Sequence, residues 1–230
     1  MAGIKQIGVK TPAKTKHKPR TKHKAWAKDL WLEETLDETL RGYMTPQRSG
    51  VFYPSALGNP CDRYLYLAYN GMLRGQSLEP NLQRIFDTGN ALEERLEKYF
   101  TKMGVYVDRE ISVKHDNPPI SGRIDFLIQH DTYGILPIES KTINTAGYTK
   151  LRKPKEDHEI QLQVYLNMGG YAMGTVLYEN KNDQKIRTYL LEQSDEAWDK
   201  ILIRCFNIMD MVHTPDKCTG ASWCGCRKVG

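Results

Sequence analysis

The sequence predicts an α/β (α+β) domain, a mixed central sheet flanked by helices, with its two end segments joined by cysteines. Two observations carry this. The order of periodic segments from residue 81 is helix, three strands, helix, strand, strand. One early cysteine, Cys61, is answered by three at the C-terminus, Cys218, Cys224 and Cys226.

Length and composition bound the problem. A chain of 230 residues, 40% hydrophobic, fits one domain with decorations, or one domain and a small lobe. No apolar run is long enough to span a membrane, and the N-terminus shows no apolar signal region, so a cytoplasmic location is expected. The net charge of +5 is unevenly placed, because no acid occurs between Lys5 and Lys28. A negatively charged partner such as nucleic acid is the simplest implication. We divide the chain into a disordered basic tail, 1–24, and a single domain, 25–230. Within the domain, 53–80 and 214–230 form a cysteine lobe and 81–213 the core.

The tail carries Lys10, Lys14, Lys16, Lys18, Arg20, Lys22 and Lys24 with Pro12 and Pro19 between them, and has no hydrophobic period. It reads as a segment that tracks phosphates, or as a solubilising leader. An amphipathic helix is expected from about Ala25 to Gly42. Ser55 after Pro54 suits a short helical turn, which Asn59-Pro60 ends. A helix then runs from about Cys61 to Asn70, with Cys61 in its first turn, where the helix dipole favours a thiolate.

Residues 81–103 place Leu82, Ile85, Phe86, Leu92, Leu96, Tyr99 and Phe100 at helical spacing. Gly89 within this helix is expected to let it approach the sheet or a substrate closely. The strands 105–114, 120–129 and 135–143 follow. Residues 144–156, with Lys150, Arg152, Lys153 and Lys155, read as a nucleic-acid contact loop, a lid or a plain surface loop. A helix over 157–173 carries Gln161 and Tyr165 at i,i+4, on one face. Strands 174–181 and 184–192 turn around Asn182-Asp183. A last helix starts at Ser194 and runs to about His213, with Cys205 as a buried structural thiol.

The chemistry concentrates in two neighbouring strands. The first, Ile120-Ser121-Gly122-Arg123-Ile124-Asp125-Phe126-Leu127, holds one acid. The second, Ile135-Leu136-Pro137-Ile138-Glu139-Ser140-Lys141-Thr142-Ile143, holds Glu139 and Lys141 on the same face. A short polar link ending in Gly134 joins them as a hairpin, which brings Asp125 beside Glu139. Two carboxylates and an ammonium in apolar surroundings suit Mg²⁺ or Mn²⁺; a surface salt bridge on a half-exposed pair is the bland alternative. Three cysteines within nine residues, with Cys61, make four thiolates suited to a [4Fe–4S] cluster or to zinc; exposed, redox-labile thiols are the alternative.

The Asp125…Glu139-Ser140-Lys141 pattern resembles the PD-(D/E)XK nuclease superfamily. Gly122-Arg123-Ile124-Asp125, Gln161-x-x-x-Tyr165 and Gly89-Asn90-Ala91-Leu92-Glu93-Glu94 are similar to motifs of its RecB-like branch, with Glu93 where that branch carries a His. The cysteine distribution resembles the iron–sulfur staple of CRISPR-adaptation exonucleases and AddB nuclease domains, although C-x₅-C-x-C departs from their spacing. The resemblance implies a restriction-endonuclease-like αβββαβ core. It implies metal ligation by Glu93, Asp125, Glu139 and the Ser140 carbonyl, with Lys141 at the attacking water and Gln161 and Tyr165 steadying the scissile strand. It implies a DNA exonuclease acting on single-stranded ends in recombination, repair or replication, with DNA and a protein of such a complex as partners. A structure-specific or nicking endonuclease and a non-catalytic DNA-binding module are the alternatives.

Overall fold

The computed structural model describes residues 30–42, 49–73, 79–218, 224 and 226. The basic tail expected at 1–24 lies outside the described residues. The chain forms two compact units, Met1–Thr39 and Leu40–Gly230. The expected N-terminal helix is present as α1, Leu30–Leu40. Among the described residues, no helix is long and apolar enough to cross a membrane.

The larger unit begins with two short helices, α2 (Pro54–Leu57) and α3 (Asp62–Tyr69), and the long α4 (Pro80–Met103). Three strands follow: β1 (Tyr106–His115), β2 (Ile120–His130) and β3 (Gly134–Ile143). Helices α5 (Thr145–Lys150) and α6 (Glu156–Gly169) lead to β4 (Met173–Asn180), β5 (Ile186–Glu192) and α7 (Asp195–Met209). The sheet order is β1-β2-β3-β4-β5. Only β3 and β4 run parallel; the other pairs are antiparallel. The mixed sheet follows from connection length, since a hairpin reverses the chain and the α6 crossover returns it in the same direction.

Each face of the sheet has its own apolar layer. Leu92, Leu96 and Phe100 of α4 pack on Phe126, Leu136, Ile138 and Leu177. Leu162 and Leu166 of α6 pack on Ile143, Val176 and Tyr178 on the other face. Each such aliphatic side chain contributes about 1.5–3 kcal/mol on burial, so these layers fix where the polar residues between them point. The even positions Leu136 and Ile138 of β3 serve the α4 layer. Strand alternation therefore turns Glu139 and Lys141 toward α6. Cys205 is fully buried among Phe52, Leu65, Ile201 and Ile208, the structural thiol expected.

Three expectations need correction. Gly89 does not serve a close approach to the sheet, since an added Cβ there would meet nothing within 4 Å. The first half of α4 adds little to the core: Leu82, Ile85 and Phe86 are exposed, and after Pro80 the next buried residue is Leu92. The stretch 144–156 is not simply a loop, since it carries α5. Asn144 caps α5 by accepting the Gly147 N–H at 2.8 Å, and Tyr148 and Leu151 are buried. Arg187 donates to the Tyr148 and Leu151 carbonyls at 3.0 and 2.6 Å, with its guanidinium 4.4 Å from the Tyr148 ring centroid. Tyr189 donates to the same Leu151 carbonyl at 3.2 Å. Two backbone carbonyls thus anchor this rim to β5.

Candidate active site

The acid pair is built where β2 and β3 part. The antiparallel register runs from His130↔Gly134 to Phe126↔Ile138. One further step sets Asp125 against Glu139. There the ladder gives way to a side chain: Asp125 Oδ2 accepts the Ser140 backbone N–H at 2.8 Å and the Ser140 hydroxyl at 3.0 Å. Ser140 thus holds the first carboxylate in place.

Glu139 is 1% exposed. Its Oε1 forms an ion pair with the Lys141 ammonium, while Oε2 is buried and has no hydrogen-bond partner among the described residues. Burial, and then the Asp125 charge, push its carboxyl up to about 8. Burial also raises Asp125 above its ordinary value, against the pull of Lys141 and of the Ser140 hydrogen bonds. Burial pulls Lys141 downward, but the Glu139 and Asp125 charges reverse this and hold it above its ordinary value. A buried acceptor left unsatisfied costs about 1–3 kcal/mol, more for a charge. Uncompensated carboxylates of this kind fit a hard divalent cation.

Glu93 stands at the rim of this group. Burial and the Asp125 charge raise its carboxyl to about 7, which places it within electrostatic reach. Its Oε2 lies 3.8 Å from Arg109, which also bonds Glu97 at 2.5 Å. Among the described residues, the four cysteines are the only set of three or more His, Cys, Asp or Glu side chains whose ligand atoms all lie within 4.8 Å. Glu93, a metal ligand expected from the sequence, has Arg109 beside it in the metal-free chain.

Gln161 and Tyr165 meet the pair from α6. Gln161 Nε2 donates to the Tyr165 hydroxyl at 3.2 Å, and both side chains are buried. Burial, with the Glu139 charge, pushes the Tyr165 hydroxyl well above its ordinary value, so it stays a proton donor. The glycine three residues before Asp125 now has a reason. A Cβ on Gly122 would stand 2.8 Å from the Tyr165 ring and 2.6 Å from Pro54.

Two neighbours are added by the tertiary structure. Tyr178 lies opposite Lys141 in the β3–β4 register. Its hydroxyl accepts the Lys155 N–H at 3.0 Å and lies 2.8 Å from His158 Nδ1. Burial lowers His158 to about 4, with Lys141 and Lys155 also opposing its charge. A neutral His158 ring and the Tyr178 hydroxyl share this hydrogen bond. The only advance signal was His158 lying three residues before Gln161 on the same helix. Arg95 is the second, clamping the buried Glu179 through two oxygens at 2.6 and 2.5 Å and tying α4 to β4.

The cysteines converge as expected. Cys61, Cys218, Cys224 and Cys226 bring their sulfurs within 4.8 Å of one another, a set able to hold a metal ion. Cys61 is the N-cap of α3, one position before its first turn, and its sulfur accepts the Tyr64 N–H at 3.4 Å. In the metal-free chain burial, and then the neighbouring thiols, push the Cys61 thiol up to about 12, against the pull of the Tyr64 N–H at the helix start. Arg63, itself buried, donates to the Cys226 and Pro215 carbonyls at 3.4 and 2.6 Å.

No protein-family model matches the chain, and no curated protein matches it. Solved structures do. The alkaline exonuclease LHK-Exo from Laribacter hongkongensis superposes with a TM-score of 0.54 at 17% identity, covering 76% of this chain and 90% of that one. The chain shares its fold with LHK-Exo. The complex of LHK-Exo with dAMP gives 0.53 at 17% identity over 70% of this chain and 86% of that one. SSO0001 gives 0.50 at 20% identity, with coverages of 80% and 85%. At such identities the likeness speaks for the fold alone.

Proposed function

We propose that this protein is a metal-dependent DNA exonuclease of the PD-(D/E)XK type, in its RecB-like branch, acting on single-stranded ends. The observation that carries the reading is Glu139. A carboxylate 1% exposed, with Asp125 beside it and one oxygen without a partner among the described residues, is costly to fold around unless a cation is its purpose. The likeness to an alkaline exonuclease, one structure of which is a complex with dAMP, supports DNA as the substrate class.

Asp125, Glu139 and the Ser140 carbonyl would hold Mg²⁺ or Mn²⁺, with Glu93 as an outer ligand once released from Arg109. Bound there, the ion lowers the pKa of a water and offsets phosphate charge. The chain's own groups do the remaining work. Lys141, held above its ordinary value by the Glu139 and Asp125 charges, donates to the attacking water or to the developing charge on phosphorus. Tyr165, oriented by Gln161, donates its hydroxyl to a phosphate oxygen and steadies the scissile strand. The rim at Lys150, Arg152, Lys153 and Lys155 is exposed and held beside Tyr178, where it would carry the strand's phosphates.

The test is degradation of linear and circular single-stranded DNA with and without Mg²⁺ or Mn²⁺. Metal-dependent loss of the linear substrate alone is expected. Cleavage of circles would make the protein an endonuclease. Full activity in Asp125→Ala or Lys141→Ala protein would reject the site.

A further inference from the structure

The four cysteine sulfurs lie too close together for the iron–sulfur centre that their distribution implies. All four are within 4.8 Å of one another, and Cys218 Sγ and Cys226 Sγ are 3.3 Å apart. The two candidate centres demand different spacings. Four thiolates around one tetrahedral ion, each bonded at about 2.3 Å, stand about 3.8 Å apart. In a cubane each thiolate binds its own iron and lies outside the iron–sulfide cube, so the cysteine sulfurs spread to about 6 Å. The observed set surrounds the first value and falls short of the second. Opening it to cubane size would push apart chains held by packing. Cys224 and Cys226 are buried against Leu67, and Arg63 bonds the Cys226 carbonyl from the helix that Cys61 caps.

We propose that Cys61, Cys218, Cys224 and Cys226 bind a single zinc ion as a closed, structural Cys₄ site, and not a [4Fe–4S] cluster. The ligand chemistry agrees, since tetrahedral all-sulfur sets select zinc or iron–sulfur and the spacing separates the two. Four protein ligands leave no open position for substrate water, so the site is structural and not catalytic. Its work is to tie the C-terminal segment to the N-terminus of α3. The buried Arg63 guanidinium, bonded to the Cys226 carbonyl, would offset part of the net negative charge of a zinc tetrathiolate.

The experiment measures metal, not DNA cleavage, so its result is independent of the nuclease reading. Full-length protein is produced in medium containing both iron and zinc and purified without oxygen. Elemental analysis should find about one zinc per chain and no iron with acid-labile sulfide, and the solution should lack the broad band near ~400 nm. Growth with Co²⁺ in place of zinc should give the intense visible absorption of a tetrahedral cobalt thiolate. Cys224→Ser and Cys226→Ser should lose the zinc, and Asp125→Ala should retain it. Should the cysteine variants not fold, the cobalt spectrum of the unaltered chain decides. Iron and sulfide with the visible band, zinc retained in folded cysteine variants, or a chain that binds neither metal would each overturn the assignment.

Discussion

Ser140 gives both its backbone N–H and its hydroxyl to one oxygen of Asp125, at 2.8 and 3.0 Å. The middle residue of the Glu-x-Lys triplet is thus the one that orients the acid on the neighbouring strand. The backbone bond survives substitution by alanine; the hydroxyl bond does not. Ser140→Ala should therefore lower kcat about 10-fold, since a hydrogen bond to a charged group contributes about 1.5–3 kcal/mol and part of the orientation remains. Binding of DNA measured without added divalent metal should be unchanged. An unaltered kcat in Ser140→Ala would mean that Asp125 needs no such support.

Glu139 and Glu93 predict how stability depends on pH when no divalent metal is added. Their carboxyls rise from an ordinary 4.5 to about 8 and about 7, so between pH 4.5 and 8 the folded chain binds more protons than the unfolded one. Stability should fall as pH rises through that window. Added Mg²⁺ or Mn²⁺ should flatten the fall by compensating the charges, and Glu139→Gln should flatten it without metal. Thermal midpoints collected from pH 5 to 8.5 check this, and a midpoint that climbs with pH would contradict it.

Lys141→Met should reduce cleavage by about 10²–10³-fold, the usual cost of removing one electrostatic donor from a reacting centre. It also strips Glu139 of its ion pair, so the metal-free variant should show an even steeper loss of stability at alkaline pH. Kinetics and thermal scans on one preparation separate the two effects.

The rim beside β3 predicts a salt signature. Lys150, Lys153 and Lys155 are exposed and make no ion pair among the described residues, and Arg152 bonds only the Thr149 carbonyl. Replacing all four with Ala should shrink the slope of log affinity against log salt by about 0.7 for each phosphate that these side chains neutralise on a single strand. Affinity should fall while kcat at saturating DNA holds. An identical slope would leave the rim as ordinary solvated surface.

Arg95 and Glu179 give a test of the scaffold. Glu179 is 4% exposed, and Arg95 Nη2 donates to both of its oxygens. Arg95→Ala strands that charge in the core and should cost about 3 kcal/mol, read by urea denaturation. Joining Glu179→Gln to Arg95→Ala should recover much of the loss, because the stranded group is then neutral.

The order of elements was legible because strand and helix periods are local. Three strands, a helix and two strands appear within a few residues of their expected bounds. So does the alternation that aligns Glu139 with Lys141 and the i,i+4 spacing that aligns Gln161 with Tyr165. Elsewhere packing overrode the local pattern. Leu82, Ile85 and Phe86 keep the apolar period of α4, but that helix overruns the sheet it packs on. Tyr148 and Leu151 looked like loop because Arg187, which anchors them, lies on β5.

By itself the sequence determined which side chains a strand or helix presents together: Glu139 with Lys141, Gln161 with Tyr165, Cys224 with Cys226. Such relations depend only on backbone geometry over a few residues. The tertiary structure decided everything that depends on how separate elements are seated. It lodged Tyr165 against Gly122, put Tyr178 between Lys141 and His158, left Glu93 with Arg109, and drew Cys61 to the distant C-terminal thiols. Those distances are set by the thickness of apolar layers between helix and sheet, a quantity that no spacing along the chain encodes.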